Sequence, residues 1–271
     1  MAATARALTI AGSDCSGGAG IQADLKTFHR FGVYGQSAVT AVVAENTVGV
    51  QGCFAVPPET VAMQIDSCLG DVGADAVKTG MLVNAPTIAA AAARLSAHRV
   101  SALVVDPVMK ATDGHPLLDP EAVSALVRGL FPLALVVTPN APEAEVLAGF
   151  PLVTEADLRR AAEAIRAMGP RIVVMKGGHG PASPDGFARD FIWDGATWTF
   201  VEAPRSPDRN THGTGCTFSA AIAAGIALGL EPVAAIRQAK AYIAEAIRTA
   251  PGLGRGHGPL NHWAACREQE T

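Results

Sequence analysis

Apolar residues fall along this chain in two alternating patterns. In ALTIAG (7–12), SAVTAVVAEN (37–46), DAVKTGM (75–81), ALVVDPVM (102–109), LALVVTPN (133–140) and RIVVMKGG (171–178), nearly every position is apolar or β-branched. Short runs of that kind read as strands buried on both faces. Between them lie longer segments with apolar residues three and four apart, such as IQADLKTFHRFG (21–32), PPETVAMQIDSCLG (57–70), APTIAAAAARLSAH (85–98) and EADLRRAAEAIRAMG (155–169). These read as helices, the first stopped by Gly32 and the second opened by prolines. Strand–helix alternation predicts a mostly parallel sheet with helices on both faces. Two segments depart from it: a short β stretch near Cys53 to Val56, and FIWDGATWTFVEA (191–203), which reads as a hairpin around Asp194 and Gly195. Two helices, Thr217 to Leu228 and Pro232 to Ala250, and a glycine- and histidine-rich tail, GRGHGPLNHW (254–263), close the chain.

Composition supports one domain over residues 1–271. With 49% hydrophobic and 17% charged residues the chain can bury a sizeable core, and no polar or Pro-rich tract marks a linker. A formal net charge of -4 argues against a surface that neutralises nucleic-acid phosphates. No window approaches about 18 consecutive apolar residues, and MAATARALTIAGSD lacks the pattern of a signal peptide, so no membrane partner and a cytoplasmic location are expected. Five cysteines without a CxxC pair read as free thiols of a reducing compartment.

In open parallel sheets ligands bind beyond the carboxyl ends of the strands. Each strand of this chain ends in chemistry: Gly12, Asp14 and SGGAG; Glu45 and Asn46; Lys78 to Met81; Asp106; Asn140 with Glu143; Lys176 with GGH. Such residues often only cap helices or satisfy loop backbone. Gathered on one rim, two glycine-rich loops, several carboxylates and a lysine suit an anionic ligand with a divalent cation. The stretch NTHGTGC (210–216) strengthens this, because Gly213 and Gly215 let backbone N–H groups approach an oxyanion while the following helix directs its positive end there. The bland alternative is a glycine turn with a capping Thr214, and the Walker pattern is absent. Cys216 stands where a base would accept a hydroxyl proton. Its thiol, about 8.5 when free, could be lowered by the helix N-terminus toward partial thiolate near neutrality; the alternative is a small apolar filler.

The motifs ALTIAGSD, SGGAGIQADLKTF, KTGML, DPVM, TPNAPEAE, MKGGH and NTHGTGC, in that order over nearly the whole chain, closely resemble the hydroxymethylpyrimidine/phosphomethylpyrimidine kinase family. That is the thiamin-pathway branch of the ribokinase-like superfamily. The resemblance implies a three-layer αβα sandwich with a mostly parallel central sheet and a small β-hairpin addition, usually a homodimer. It implies that Mg-ATP phosphorylates 4-amino-5-hydroxymethyl-2-methylpyrimidine and then its monophosphate. Carried over, Gly213, Thr214 and Gly215 form the anion hole and Cys216 takes the base position. Asn140 and Glu143 match the metal-water motif, with Asp106 contributing to Mg2+. Lys176 reaches ATP phosphate and Thr211 lies beside the nucleotide, while Asp24, Glu45, Met81 and Val108 line the pyrimidine pocket.

Two positions depart from the family pattern. Relatives read AQNT where this chain has AENT, and an ionised Glu45 answers only the amino donor of an aminopyrimidine edge, leaving the ring nitrogen unmatched. Glu45 therefore suggests binding through a shared proton. In VMKATDG the customary lysine position is Thr112, and Lys110 reads as a solvated loop charge. His179 and His212 read as structural, and Trp193 and Trp198 belong to the hairpin. The rivals are a pyridoxal-type kinase, a non-catalytic pyrimidine-binding protein, and a dinucleotide-dependent oxidoreductase, the last opposed by the lack of GxGxxG.

Overall fold

A computed structural model describes residues 4–111, 114–115, 117–119, 121–177, 186–206 and 210–266. Its strands are β1 (Arg6–Asp14), β2 (Tyr34–Asn46), β3 (Gly49–Ala55), β4 (Ala76–Thr79), β5 (Leu103–Val105), β6 (Val136–Val137), β7 (Ile172–Met175), β8 (Phe187–Trp193) and β9 (Trp198–Pro204). The helices are α1 (Gly20–Arg30), α2 (Pro58–Ser67), α3 (Ala85–Ala97), α4 (Ala122–Gly129), α5 (Ala141–Ala148), α6 (Glu155–Ala167), α7 (Thr214–Ala227) and α8 (Pro232–Arg248). Among the described residues the strands form one sheet in the order β3-β2-β1-β4-β5-β6-β7-β8-β9. The run from β2 to β7 is parallel. β3, β8 and β9 pair antiparallel at the two edges.

Side chains alternate across the parallel strands, as their period of two requires. Leu8, Ile10, Val77, Val105 and Val137 enter one core with α2 to α6. Ala7, Ala76, Val104, Val136 and Val174 enter the other with α1, α7 and α8. Both faces are dry, which explains the continuous apolar runs, and the layers stack as αβα.

The hairpin at the C-terminal edge forms as its sequence predicts, with Trp193 and Trp198 stacked 4.8 Å apart across it. A second hairpin was not legible. The stretch near Cys53 is the end of β3, which folds back along β2 after a turn at Thr47 and Val48. A register irregularity falls between Ala44 and Glu45, so Glu45 leaves the regular alternation of its strand. The helix expected from Thr217 begins at Thr214, because Gly213, at φ 79°, supplies a left-handed N-cap. α7 is buried on nearly all sides between the sheet and α8, and its small residues permit close approach: a Cβ on Gly225 would lie 2.9 Å from that of Ala235.

The order of the strands reverses at β1, whose neighbours β2 and β4 leave it on opposite sides. That is the crevice where open α/β sheets place ligands.

Candidate active site

The loop after β1 and the turn before α7 meet over this crevice. A Cβ on Gly213 would lie 1.9 Å from the carbonyl oxygen of Gly18, so only glycine lets the two loops touch. The turn is closed by Thr214, whose N–H and Oγ1 both donate to the Thr211 carbonyl, at 3.2 and 2.7 Å. Gly215 and Cys216, second and third residues of α7, have no acceptor within the helix for their N–H groups. Two such donors at the positive end of a helix are an arrangement that suits an anion, whereas Thr214 has its own N–H and hydroxyl on the Thr211 carbonyl.

Charged side chains surround the start of α7. Lys176, just past β7, donates to Oδ1 of Asp106 at 2.8 Å and stands 4.0 Å from Oε2 of Glu143. Asp106 Oδ2 and Lys176 Nζ crowd Gly215, 3.3 and 3.4 Å from where a Cβ would lie. Asp106 is buried and also accepts from Thr138 Oγ1 at 3.1 Å. Burial would lower the Lys176 pKa, but Asp106 and Glu143 together hold it above the ordinary lysine value. Glu143 is pushed up by burial and by Asp106, against the pull of Lys176.

Asn140 and Glu143 also cap α5. Glu143 N–H donates to Asn140 Oδ1 at 2.9 Å, and Asn140 N–H donates to Glu143 Oε2 at 2.8 Å. The cap fixes both side chains at the rim and leaves Glu143 Oε1 outside the reciprocal pair. Together with Asp106 this is a hard oxygen set of the type that suits Mg2+.

Near the start of α7 lies a buried ion pair. Lys78 of β4 and Asp24 of α1 are fully buried, with Nζ 2.7 Å from Asp24 Oδ2, which also accepts from Thr9 Oγ1 at 2.6 Å. Asp24 Oδ1 is buried with no partner among the described residues. Sequence reasoning carried Asp24 to the substrate pocket but gave Lys78 no partner. Burial opposes the charge on Lys78, and Asp24, Cys216 and Asp106 more than restore it.

Cys216 corrects the expectation of an easily ionised thiol. Burial pushes it up to about 11; Lys78 opposes this, while Asp24 and Asp106 add to it. The helix N-terminus does not overcome desolvation, so the thiol is protonated near neutral pH.

The other residues expected to line the pyrimidine pocket lie at or past other strand ends. Met81 is buried against Ala41 and Val43, with its sulfur 3.1 Å from where a Cβ on Gly12 would lie. Val108 is half-buried past β5, and Lys110 is exposed, as a solvated loop charge should be. Glu45 Oε1 lies 3.9 Å from Nε2 of His212, which is 2.9 Å from Oδ2 of Asp14. His212 thus stands between two carboxylates, a position that its place beside a glycine loop did not reveal. Thr112 and His179 lie outside the described residues.

The family model for phosphomethylpyrimidine kinase matches residues 14–261. The thiamine biosynthesis bifunctional protein ThiED of Geobacter sulfurreducens is 51% identical over 96% of this chain, which spans 53% of that relative's length. The hydroxymethylpyrimidine/phosphomethylpyrimidine kinase of Haemophilus influenzae is 45% identical over 98% of this chain and 100% of its own. Among solved structures, an ADP complex of Bacillus subtilis pyridoxal kinase gives a TM-score of 0.90 at 41% identity, covering 97% of this chain and 98% of that one. Phosphomethylpyrimidine kinase from Clostridium difficile gives 0.79 at 40% identity, covering 89% and 99%. With a family match over residues 14–261 and a relative 45% identical across its full length, the chain belongs to the phosphomethylpyrimidine kinase family.

Proposed function

We propose that this protein transfers the γ-phosphoryl group of ATP to 4-amino-5-hydroxymethyl-2-methylpyrimidine and then to the resulting monophosphate, in thiamin biosynthesis. The observation that carries this reading is the placement of Lys176, Asp106 and the N–H groups of Gly215 and Cys216 around one point at the β1/β4 crevice. Phosphoryl transfer needs mainly positioning and charge neutralisation there.

Lys176 neutralises ATP phosphate, with Thr211 beside the nucleotide. Asp106 and Glu143, with Asn140, would hold Mg2+, which would supply charge neutralisation on the phosphates. In the first transfer the substrate hydroxyl oxygen bonds to the γ-phosphorus, the bond to ADP breaks, and the hydroxyl proton passes to a base. Cys216 occupies that position, and the thiolate fraction performs the task. In the second transfer the attacking phosphate oxygen is already ionised and needs no base. Asp24, Glu45, Met81 and Val108 line the pyrimidine side, and the unpartnered Asp24 Oδ1 would accept a substrate donor.

Pyridoxal phosphorylation is a second reading, supported by solved relatives. The pyridoxal kinase of Staphylococcus aureus, solved with AMP-PCP and pyridoxal, gives a TM-score of 0.89 at 37% identity over 97% of this chain and 94% of its own. A homodimer in the cytoplasm completes the proposal. Val42 and Phe54, paired across β2 and β3 and 56% and 70% exposed, form an apolar edge suited to a second copy. Among the described residues no helix is long and apolar enough to cross a membrane.

Coupled ADP release with Mg-ATP and three substrates, the hydroxymethylpyrimidine, its monophosphate and pyridoxal, tests the assignment. Turnover with the first two supports it, preference for pyridoxal transfers it to the second reading, and turnover with none removes both.

A further inference from the structure

Lys176 is held from behind by a buried pair that takes no part in the rim. Its backbone is fixed on one side by the end of β6: Lys176 N–H donates to the Pro139 carbonyl at 2.9 Å. The next residue is fixed on the other side by β8. Gly177 N–H donates to Oδ1 of Asp190 at 2.9 Å, and the second oxygen of Asp190 accepts from Nζ of Lys240 at 2.8 Å. Both side chains are nearly enclosed, 6% and 10% exposed.

The position of Asp190 follows from the sheet. β7 and β8 pair as far as Met175 and Phe191, so Asp190 lies one residue past the last pair, level with the point where β7 gives way to the lysine. Approach is so close there that a Cβ on Gly177 would lie 1.6 Å from the Arg189 carbonyl oxygen. The chain at Gly177 therefore runs against β8 and can neither carry a side chain nor lift away without stranding the carboxylate. Lys240 comes from α8, in the helical layer on the opposite side of the sheet from α2 to α6. A buried carboxylate without a partner is costly, and Lys240 supplies the countercharge that holds Asp190 in place.

We infer that Asp190 and Lys240 are positioning residues for ATP, which fix the Gly177 amide and through it the direction of the Lys176 ammonium. This rests on the reading of Lys176 as a phosphate ligand. A clamp on the backbone suits the task because a side chain as long as lysine holds a phosphate only if its own Cα is fixed. One oxygen of Asp190 serves the amide and the other the ammonium, so loss of either bond leaves a buried group unmatched.

Four variants test this, read by the Kd of a non-hydrolysable ATP analogue, the KM of the pyrimidine and the melting temperature. Lys176→Met sets the scale, and its expected effect is analogue binding weakened about thirtyfold. Asp190→Ala should weaken analogue binding about tenfold with the pyrimidine KM unchanged within about twofold. If Asp190→Ala does not fold, the Asp190→Leu/Lys240→Met pair replaces the ion pair by apolar groups and keeps the core closed, yet lacks the acceptor; it should show the same weakening. Asp190→Asn with Lys240→Met restores an acceptor for Gly177 without an opposing ammonium and should recover binding to within about threefold of the parent.

Loss of melting temperature with unchanged analogue affinity in the Leu/Met pair would make the Asp190–Lys240 pair purely structural and overturn the inference. Failure of the Asn/Met pair to recover would do the same. If Lys176→Met leaves analogue binding intact, the assignment of Lys176 fails and this inference with it. If Lys176→Met weakens binding and the Leu/Met pair does not, the inference alone fails.

Discussion

Nε2 of His212 lies 2.9 Å from Oδ2 of Asp14, although 198 residues separate them in the chain. The same carboxylate accepts from Ser16 N–H at 2.7 Å, Gly18 N–H at 3.0 Å and Ala19 N–H at 2.7 Å. Burial works against the charge on Asp14, but His212, Ser16 and Ala19 hold its pKa far below the usual carboxylate range. An ionised Asp14 is an acceptor only, so Nε2 of His212 carries the proton of this bond. The backbone N–H of His212 donates to the Gly258 carbonyl at 3.2 Å. One histidine thus ties the first glycine loop, the anion-hole turn and the C-terminal tail together.

His212→Ala should therefore loosen the anion hole without touching phosphate. The expected result is a fall in kcat/KM of about 10- to 100-fold and a stability loss of about 1–3 kcal/mol, because a buried carboxylate loses a donor. His212→Gln, which can donate from a similar place, should recover part of both. Steady-state kinetics and denaturant unfolding of the two variants provide the check.

The protonated thiol of Cys216 gives the first phosphorylation a characteristic pH dependence. With its pKa near 11, the thiolate fraction rises about tenfold per pH unit below that value, so the single-turnover rate should climb from pH 7 to 9 without a plateau. The second phosphorylation, whose nucleophile is already ionised, should stay nearly flat over the same range. Cys216→Ala should remove the slope and slow the first step more than the second; equal slowing of both would sink the base assignment.

At Glu45 the substitution of interest is the glutamine that the family resemblance leads one to expect there. Glu45→Gln supplies a donor and an acceptor to an aminopyrimidine edge where the carboxylate supplies acceptors alone. Pyrimidine affinity measured by calorimetry from pH 6 to 8 should vary more in the parent than in the variant. Identical profiles would show that no shared proton is involved.

Gly213 has neither the backbone angle nor the space for a side chain. Its φ is 79°, and a methyl group would meet the Gly18 carbonyl oxygen at 1.9 Å. Gly213→Ala should separate the two loops, abolish measurable phosphoryl transfer, and cost more than about 1 kcal/mol of stability. Retention of near-parent turnover would show that the loops need not touch.

His262 provides an acid-sensitive contact away from the rim. Burial, with a smaller effect from Lys26, lowers its pKa to about 4, and its Nε2 lies 3.2 Å from Oγ1 of the buried Thr217. The neutral ring is favoured in the folded protein, while the unfolded chain takes up a proton near the ordinary value of about 6.5. The unfolded state therefore binds more protons between those values, and stability falls as pH drops from about 6.5 to 4, by up to about 3 kcal/mol. Urea unfolding of His262→Gln across this range should show a shallower decline.

Much of the fold was present in the one-dimensional pattern. The parallel strands are apolar at consecutive positions because both faces are covered, and that pattern needs no long-range information to recognise. The Trp193/Trp198 hairpin was visible because its turn and paired aromatics are local. The β2–β3 hairpin was hidden because β3 lies at an edge with most of its side chains exposed, which leaves its apolar period weak. At the site, Gly213 to Cys216, Asn140, Glu143, Asp106 and Lys176 stood out because each ends a strand or begins a helix.

What the sequence by itself determined was therefore the layered architecture, the rim on which the chemistry lies, and the residue types that meet an anion there. Tertiary structure decided the partners. Lys78 with Asp24, His212 with Asp14, and Asp190 with Lys240 join residues 54, 198 and 50 positions apart. It also set the protonation of Cys216, since the same thiol at a helix N-terminus ionises readily in water and resists ionisation when desolvated. Distance through space and exclusion of water have no signature in the order of residues, and those two quantities govern which charges pair and which protons stay.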